Sequence, residues 1–197
     1  MSQALSRRRL LAVAGAGLAG SASAAALAAC GADETGGDGG EEAPTDTAAQ
    51  GGSAGSADVV ILNQALDLEF ASVAAYTAAG RELRGAELQA AHGFLAQEQQ
   101  HADALAQAIR QLGATPNRPR ADYGLPELGG AGDALELISD SEERAIATYI
   151  GLLPKLTSPD LRGTAAAILT NEAEHLAVVR EARGRPPAPD ALVTGRR

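Results

Sequence analysis

The sequence predicts an all-α protein, a four-helix bundle in up-down-down-up order with one long crossover. Three observations predict it. Tryptophan is absent, Phe and Tyr total five, and the apolar residues are mostly Ala and Leu, which suits helices and not an aromatic-rich β-sandwich. Between Asp58 and Arg183, apolar residues recur at steps of three and four in four separate segments. Of the three connections, the first and last are short and the middle one holds about 19 residues, the pattern of two antiparallel hairpins joined by a crossover.

Each element has its own signals. Asp58 is the expected cap of the first helix, whose buried stripe reads Leu62, Leu66, Glu69, Val73 and Tyr76 and which ends near Gly80. The second runs from about Gly85 to Leu112, with Leu88, Ala91, Leu95, Glu98, His101 and Leu105 along one side and Gly113 to stop it. Gly113 to Gly132 carries Pro116, Pro119, Pro126 and five glycines, an irregular connection. The third helix is expected to start with the capping box Asp133-x-x-Glu136, to show Leu135, Ser139, Glu142, Ile146 and Tyr149 on one face, and to stop before Pro154. The fourth opens with Ser158-Pro159, a cap followed by Pro at the first helical position, and presents Leu161, Ala165, Ile168, Glu172, His175 and Val179 before Gly184. A bundle of helices about 35 Å long can be spanned by 19 extended residues, which reach about 60 Å, so the crossover is allowed. A plain up-down bundle with a loose second loop is the alternative.

The chain has 197 residues, enough for one domain plus appendages. Residues 1–29 read as an export segment: Arg7-Arg8-Arg9 precede a short Ala/Gly/Leu run that ends in Leu27-Ala28-Ala29-Cys30. This resembles a twin-arginine signal joined to a bacterial lipobox. The resemblance implies export of an already folded protein, cleavage before Cys30 and diacylation of that cysteine, and two acyl chains give stable anchoring. The implied location is the cell envelope, on the outer face of the bacterial cytoplasmic membrane. A cleaved secretory peptide and a membrane helix are the alternatives, disfavoured because the run is short and Gly-rich. Residues 30–57 are then the lipidated cysteine and an acidic Gly/Ser tether, whose typical reach is on the order of 25–30 Å. Residues 58–184 form the bundle and 185–197 a flexible tail.

Charge and cysteine usage exclude several classes. The net charge is −9, and removing the export segment, with three arginines and no acid, leaves −12, so nucleic acid is not an expected partner. One cysteine excludes an internal disulfide framework, and a Cys-ligated zinc or iron–sulfur site held by this chain alone.

The chemistry lies in the stripes. Each is interrupted by one carboxylate on its apolar face: Glu69, Glu98, Glu142 and Glu172. An unpaired buried charge costs several kcal/mol, roughly, even after relaxation, whereas a shared divalent cation offsets that penalty. Counted from the connecting turns, the four carboxylates lie about 16–20 Å deep, at one level of the bundle. Glu98-x-x-His101 and Glu172-x-x-His175 place each pair on one helix face. Tyr76 follows Glu69 by seven residues and Tyr149 follows Glu142 by seven, again one face. The segments 69–76 and 142–149 align, as do 95–101 and 169–175, at offsets of 73 and 74, so the bundle reads as a duplicated helical hairpin. Singly, a buried Glu is more often ion-paired and a core His more often merely satisfied. The six together, on four helices at one depth, point to a metal site. His92 falls off this face and reads as a surface or inter-helix residue.

One Glu from each of two helices and a Glu-x-x-His from each of the other two resembles the ligand set of the ferritin-like di-iron or di-manganese carboxylate proteins. The similarity spans about Asp58 to Arg183. It implies two iron or manganese ions bridged by Glu98 and Glu172, with Glu69 and His101 completing one and Glu142 and His175 the other. Tyr76 and Tyr149 would be hydroxyls that orient these carboxylates, or packing residues. The chain lacks the Cys-rich module of a rubrerythrin and the Met haem ligand of a bacterioferritin, since Met1 is its only Met. The resemblance implies oxygen or peroxide as a co-substrate and an oxidoreductase acting on ferrous iron or peroxide. A non-catalytic metal-binding or structural envelope lipoprotein is the competing expectation, and a homodimer is compatible with either.

Overall fold

The computed structural model describes residues 48–195. The arginine run, the apolar run, Cys30, the first part of the tether and Arg196-Arg197 lie outside the described residues. Four helices and no strand occur among those described: α1 (Ala48–Ala79), α2 (Gly85–Gln111), α3 (Ala131–Leu152) and α4 (Pro159–Ala182), with one 3₁₀ turn, Leu153–Lys155, between α3 and α4.

Two helix starts differ from the sequence expectation. Asp58 does not cap α1, which begins ten residues earlier, so 48–57, expected as tether, is helical. Asp58 is buried instead, and its carboxylate accepts hydrogen bonds from the Thr157 backbone N–H at 2.8 Å and hydroxyl at 2.6 Å, tying the start of the α1 core segment to the α3–α4 turn. Asp133 does not form a capping box either. The N-cap of α3 is Gly130, at φ 148, and Asp133 inside the first turn reaches back to accept the Gly129 N–H at 2.8 Å. In both cases a short acidic side chain has an amide to satisfy: for Asp58 it lies in another segment, which a local motif cannot reveal, and for Asp133 it is the loop amide four residues back and not one of its own first turn. By contrast Ser158 caps α4 by accepting the Leu161 N–H. Gly113 and Gly184, both at positive φ, close α2 and α4, and the following amides return to Ile109 and Arg180.

The direction of each helix follows from two apolar clusters. One joins Ile61, Leu62 and Leu66 near the start of α1 to Leu105 and Ile109 late in α2, Tyr149 and Leu152 late in α3, and Ala165 and Ile168 early in α4. The other joins Tyr76 and Ala79 at the end of α1 to Ala91 early in α2, Ala134, Leu135 and Ile138 early in α3, and Val179 late in α4. The order is therefore up-down-down-up. The crossover runs back up alongside α1, in the same direction as that helix, and the Asn117 amide N–H donates to Asn63 and its side chain to Asp67. The expected flexible tail includes Gly195, which at φ 63 lies so close to the Glu143–Ala147 backbone of α3 that a Cβ would not fit. Each buried Leu or Ile in the clusters stabilises the bundle by about 1.5–3 kcal/mol. The two clusters bracket a middle layer that is polar.

Candidate metal centre

That middle layer gathers Glu69 from α1, Glu98 and His101 from α2, Glu142 from α3, and Glu172 and His175 from α4. Helical spacing does the positioning: the i, i+3 step in α2 and α4 turns each Glu and His inward together. All four carboxylates are buried. Their neighbours in sequence go elsewhere: Glu143 faces Arg180, and Glu174 is exposed beside Asn171.

The six groups form two overlapping quartets, Glu69–Glu98–His101–Glu172 and Glu98–Glu142–Glu172–His175, each with one donor atom per residue within 4.8 Å of the others. Glu98 and Glu172 belong to both. The arrangement is nearly two-fold symmetric. His101 Nδ1 lies 3.0 Å from Glu172, 3.5 Å from Glu69 and 3.9 Å from Glu98. His175 Nδ1 lies 3.0 Å from Glu98, 3.7 Å from Glu142 and 3.9 Å from Glu172. The two rings are nearly parallel, with centroids 6.3 Å apart.

These short distances do not amount to hydrogen bonding. Both Nδ1 atoms, both oxygens of Glu98 and of Glu172, and one oxygen each of Glu69 and Glu142 are buried with no hydrogen-bond partner of acceptable geometry. Eight such atoms in one place depart sharply from the rule that buried polar groups are paired. Four ionised carboxylates and two neutral imidazoles would carry a charge of −4, which two divalent cations cancel, and the oxygen and nitrogen donors suit iron or manganese. The donor set therefore fits such a pair.

Two tyrosines satisfy the remaining carboxylate oxygens, crosswise. Tyr76 of α1 donates to Glu142 of α3, and Tyr149 of α3 donates to Glu69 of α1. Burial, and then the adjacent carboxylate, pushes both phenols well above their ordinary range, so they stay protonated donors. Beside this crossing, Ser72 and Ser141 share a buried hydrogen bond at 3.0 Å.

Protonation of the metal-free cluster reflects crowding. Burial, reinforced by Glu172 and Glu98, raises Glu69 to about 8 against the pull of His101 and Tyr149. Burial and the same two carboxylates push Glu142 up as well. Glu98 also feels burial, but the two histidines outweigh it and hold it below its ordinary value. For His101, burial opposes the charge, yet Glu172, Glu69 and Glu98 together raise it to about 12.

Four residues absent from the sequence reading join the site: Ser72 and Ser141 beside the tyrosine crossing, and Phe94 and Gln97 against His175. Gln97 of α2 places its Oε1 2.5 Å from His175 Nε2. Its position next to Glu98 was the only signal, and a polar residue there reads as solvated. His92 is exposed and takes no part, as its register requires.

Residues 57–185 match the family model described as the ferritin-like domain, and the chain belongs to that family. Among solved structures, a conserved hypothetical protein from Mycobacterium tuberculosis is 24% identical, with a TM-score of 0.63 over 71% of this chain and 99% of that one. Desulfovibrio desulfuricans bacterioferritin, described with a diiron site in different catalytic states, is 18% identical, with a TM-score of 0.61 over 72% and 95%. A dodecameric thioferritin, the bacterioferritin-related protein from Bacteroides fragilis, is 22% identical, with a TM-score of 0.58 over 66% and 86%. At these identities the likeness is one of fold. No curated protein matches the chain in sequence.

Proposed function

We propose that this chain is a di-metal oxidoreductase of the ferritin-like type, anchored by lipid to the outer face of the cytoplasmic membrane. Its six ligands would be Glu69, Glu98, His101, Glu142, Glu172 and His175, its ions iron or manganese, and its substrates ferrous iron, oxygen or peroxide. The observation that carries the metal reading is the set of eight orphaned buried donor atoms converging between four helices. Metal bound there supplies Lewis-acid and one-electron redox chemistry. The chain's own part is positional. Glu98 and Glu172, common to both quartets, would bridge, and Glu69 and Glu142 would each serve one position. Tyr76 and Tyr149 keep their protons and hold those two terminal carboxylates in one orientation. The location rests on Arg7-Arg8-Arg9 and the Leu27-Ala28-Ala29-Cys30 motif.

The test is elemental analysis of the full chain, purified without added metal, followed by ferrous-oxidation and peroxide assays on the same sample. About two iron or manganese ions per chain are expected, with turnover in at least one assay. Metal without turnover would make the protein a passive binder. No metal, even after anaerobic loading, would leave the six residues a polar core and favour a structural envelope lipoprotein. Cys30→Ala is expected to move the protein from the membrane to the soluble fraction.

A further inference from the structure

The near two-fold symmetry of the six ligands does not extend to what stands behind them. His175 is 1% exposed; its Nε2 meets Gln97 Oε1, and its ring stacks on Phe94 at a centroid distance of 4.1 Å and 29° between planes. His101 is 12% exposed, and among the described residues no side chain bonds its Nε2. The offset of 74 residues that relates the hairpins explains the difference. It places Asn171 opposite Gln97 and Ile168 opposite Phe94. Asn171 is one methylene shorter and bonds Glu174 instead, and Ile168 offers no ring to stack on.

We infer that Gln97 is a positioning residue that holds His175 with Nδ1 toward the carboxylates, and that the Glu142–His175 half is therefore the half that retains its ion while the Glu69–His101 half exchanges. A neutral imidazole has one N–H. When Nε2–H donates to the Gln97 oxygen, the lone pair is left on Nδ1, the atom that faces Glu98, Glu142 and Glu172. Stacking on Phe94 opposes rotation of the ring out of that pose. His101 has neither restraint, and its partial exposure lets water compete for an ion on that side. Partners of this kind behind a metal-bound histidine are worth about 10- to 100-fold in affinity. The inference rests on the metal reading above and adds an inequality between the two positions.

The experiment is calorimetric titration of the full chain with Mn²⁺ under anaerobic conditions, followed by a chelator challenge that counts the ions retained. Two unequal steps are expected, and the challenge should strip one ion quickly and the other slowly. Gln97→Asn, which copies the residue found in the other hairpin, should weaken the tighter step by about 10- to 100-fold and leave the weaker step in place. Gln97→Glu, which keeps an acceptor at full reach, should restore the tight step to within a few-fold. A purely structural role would shift both steps together or move only the melting temperature. Equal steps in the wild type, or a Gln97→Asn variant whose two steps are unchanged or equally weakened, would overturn the inference with the metal reading intact. A wild type that binds no Mn²⁺ would overturn both.

Discussion

The seam between α1 and α3 and the seam between α2 and α4 are built differently, although each pair of helices contributes carboxylates to one centre. α1 lies closely along α3, and the two exchange Tyr–Glu hydrogen bonds in both directions around the Ser72–Ser141 pair. α2 and α4 meet only sparsely, carry both histidines, and both line a small apolar cavity of about 20 Å³ that Tyr76 and Phe94 also line. The first seam is a wall with its polar groups already paired, apart from one oxygen on each Glu. The second carries six of the eight unpaired donor atoms of the centre.

The largest expected effect breaks the open seam. Glu98→Ala or Glu172→Ala should abolish two-ion binding, because each residue serves both quartets, whereas Glu69→Ala or Glu142→Ala should leave one ion. In the wild type, metal at about 1,000 times its dissociation constant would stabilise the fold by about 4 kcal/mol. That gain should vanish in the first two variants, read as the difference in Tm with and without metal. A bridging variant that still bound two ions would contradict this division of roles.

The pH dependence of the metal-free protein comes next. Between 4.5 and about 8, folded Glu69 holds a proton that the unfolded chain releases, so its contribution to stability falls as pH rises. Glu142 acts in the same direction. His101, raised from 6.5 to about 12, contributes fully below 6.5 and loses that contribution on the way to 12, again destabilising with rising pH. Glu98 opposes them: held below its ordinary value, it adds stability above 4.5 that is lost as pH falls. Bound metal requires deprotonated carboxylates and neutral imidazoles. The gap in Tm between loaded and metal-free protein should therefore widen from about pH 5 to about pH 8, which calorimetry at several pH values reads directly.

The wall is tested by Tyr76→Phe and Tyr149→Phe, each of which leaves a buried carboxylate oxygen without its donor. Each should cost about 1–3 kcal/mol, and Tm in denaturation scans should fall by about 2–4 °C per kcal/mol. A loss in metal-free protein with ion stoichiometry unchanged would identify the phenols as orienting groups and not ligands.

Much of this was legible in the sequence because helical periodicity converts spacing into direction. Leu62, Leu66, Glu69, Val73 and Tyr76 share a face whatever the partner helix is, and the crossover length fixes which ends meet. The four depths could be counted from Gly80, Gly85, Leu153 and Pro159. The crossed pairing was not legible, since seven-residue spacing says that Tyr76 and Glu69 share a face and not that Tyr76 bonds Glu142 across the seam. Asp58 and Asp133 were misread for a related reason: their partners, Thr157 and Gly129, are chosen by tertiary contact and by loop geometry. Gln97 escaped because hydrophobic pattern assigns a polar residue beside a buried one to solvent, and its contact with His175 is a tertiary one between α2 and α4.

The smallest expected effect compares the seams by one change made in each. Ala145 lies between Glu142 and Tyr149 on the α3 face that meets α1, and it is buried against a filled wall. Ala145→Val should overpack it and cost about 1–3 kcal/mol, because a close-packed core has no room for two more methyl groups. Ala90 of α2 lines the cavity at the open seam and is only half-buried. Ala90→Val should change stability by less than about 0.5 kcal/mol, since the added atoms enter existing space. Urea denaturation of both variants measures the difference. If Ala90→Val were as costly as Ala145→Val, the α2–α4 seam would be as tightly packed as the wall, and the contrast between them would reduce to where the histidines sit.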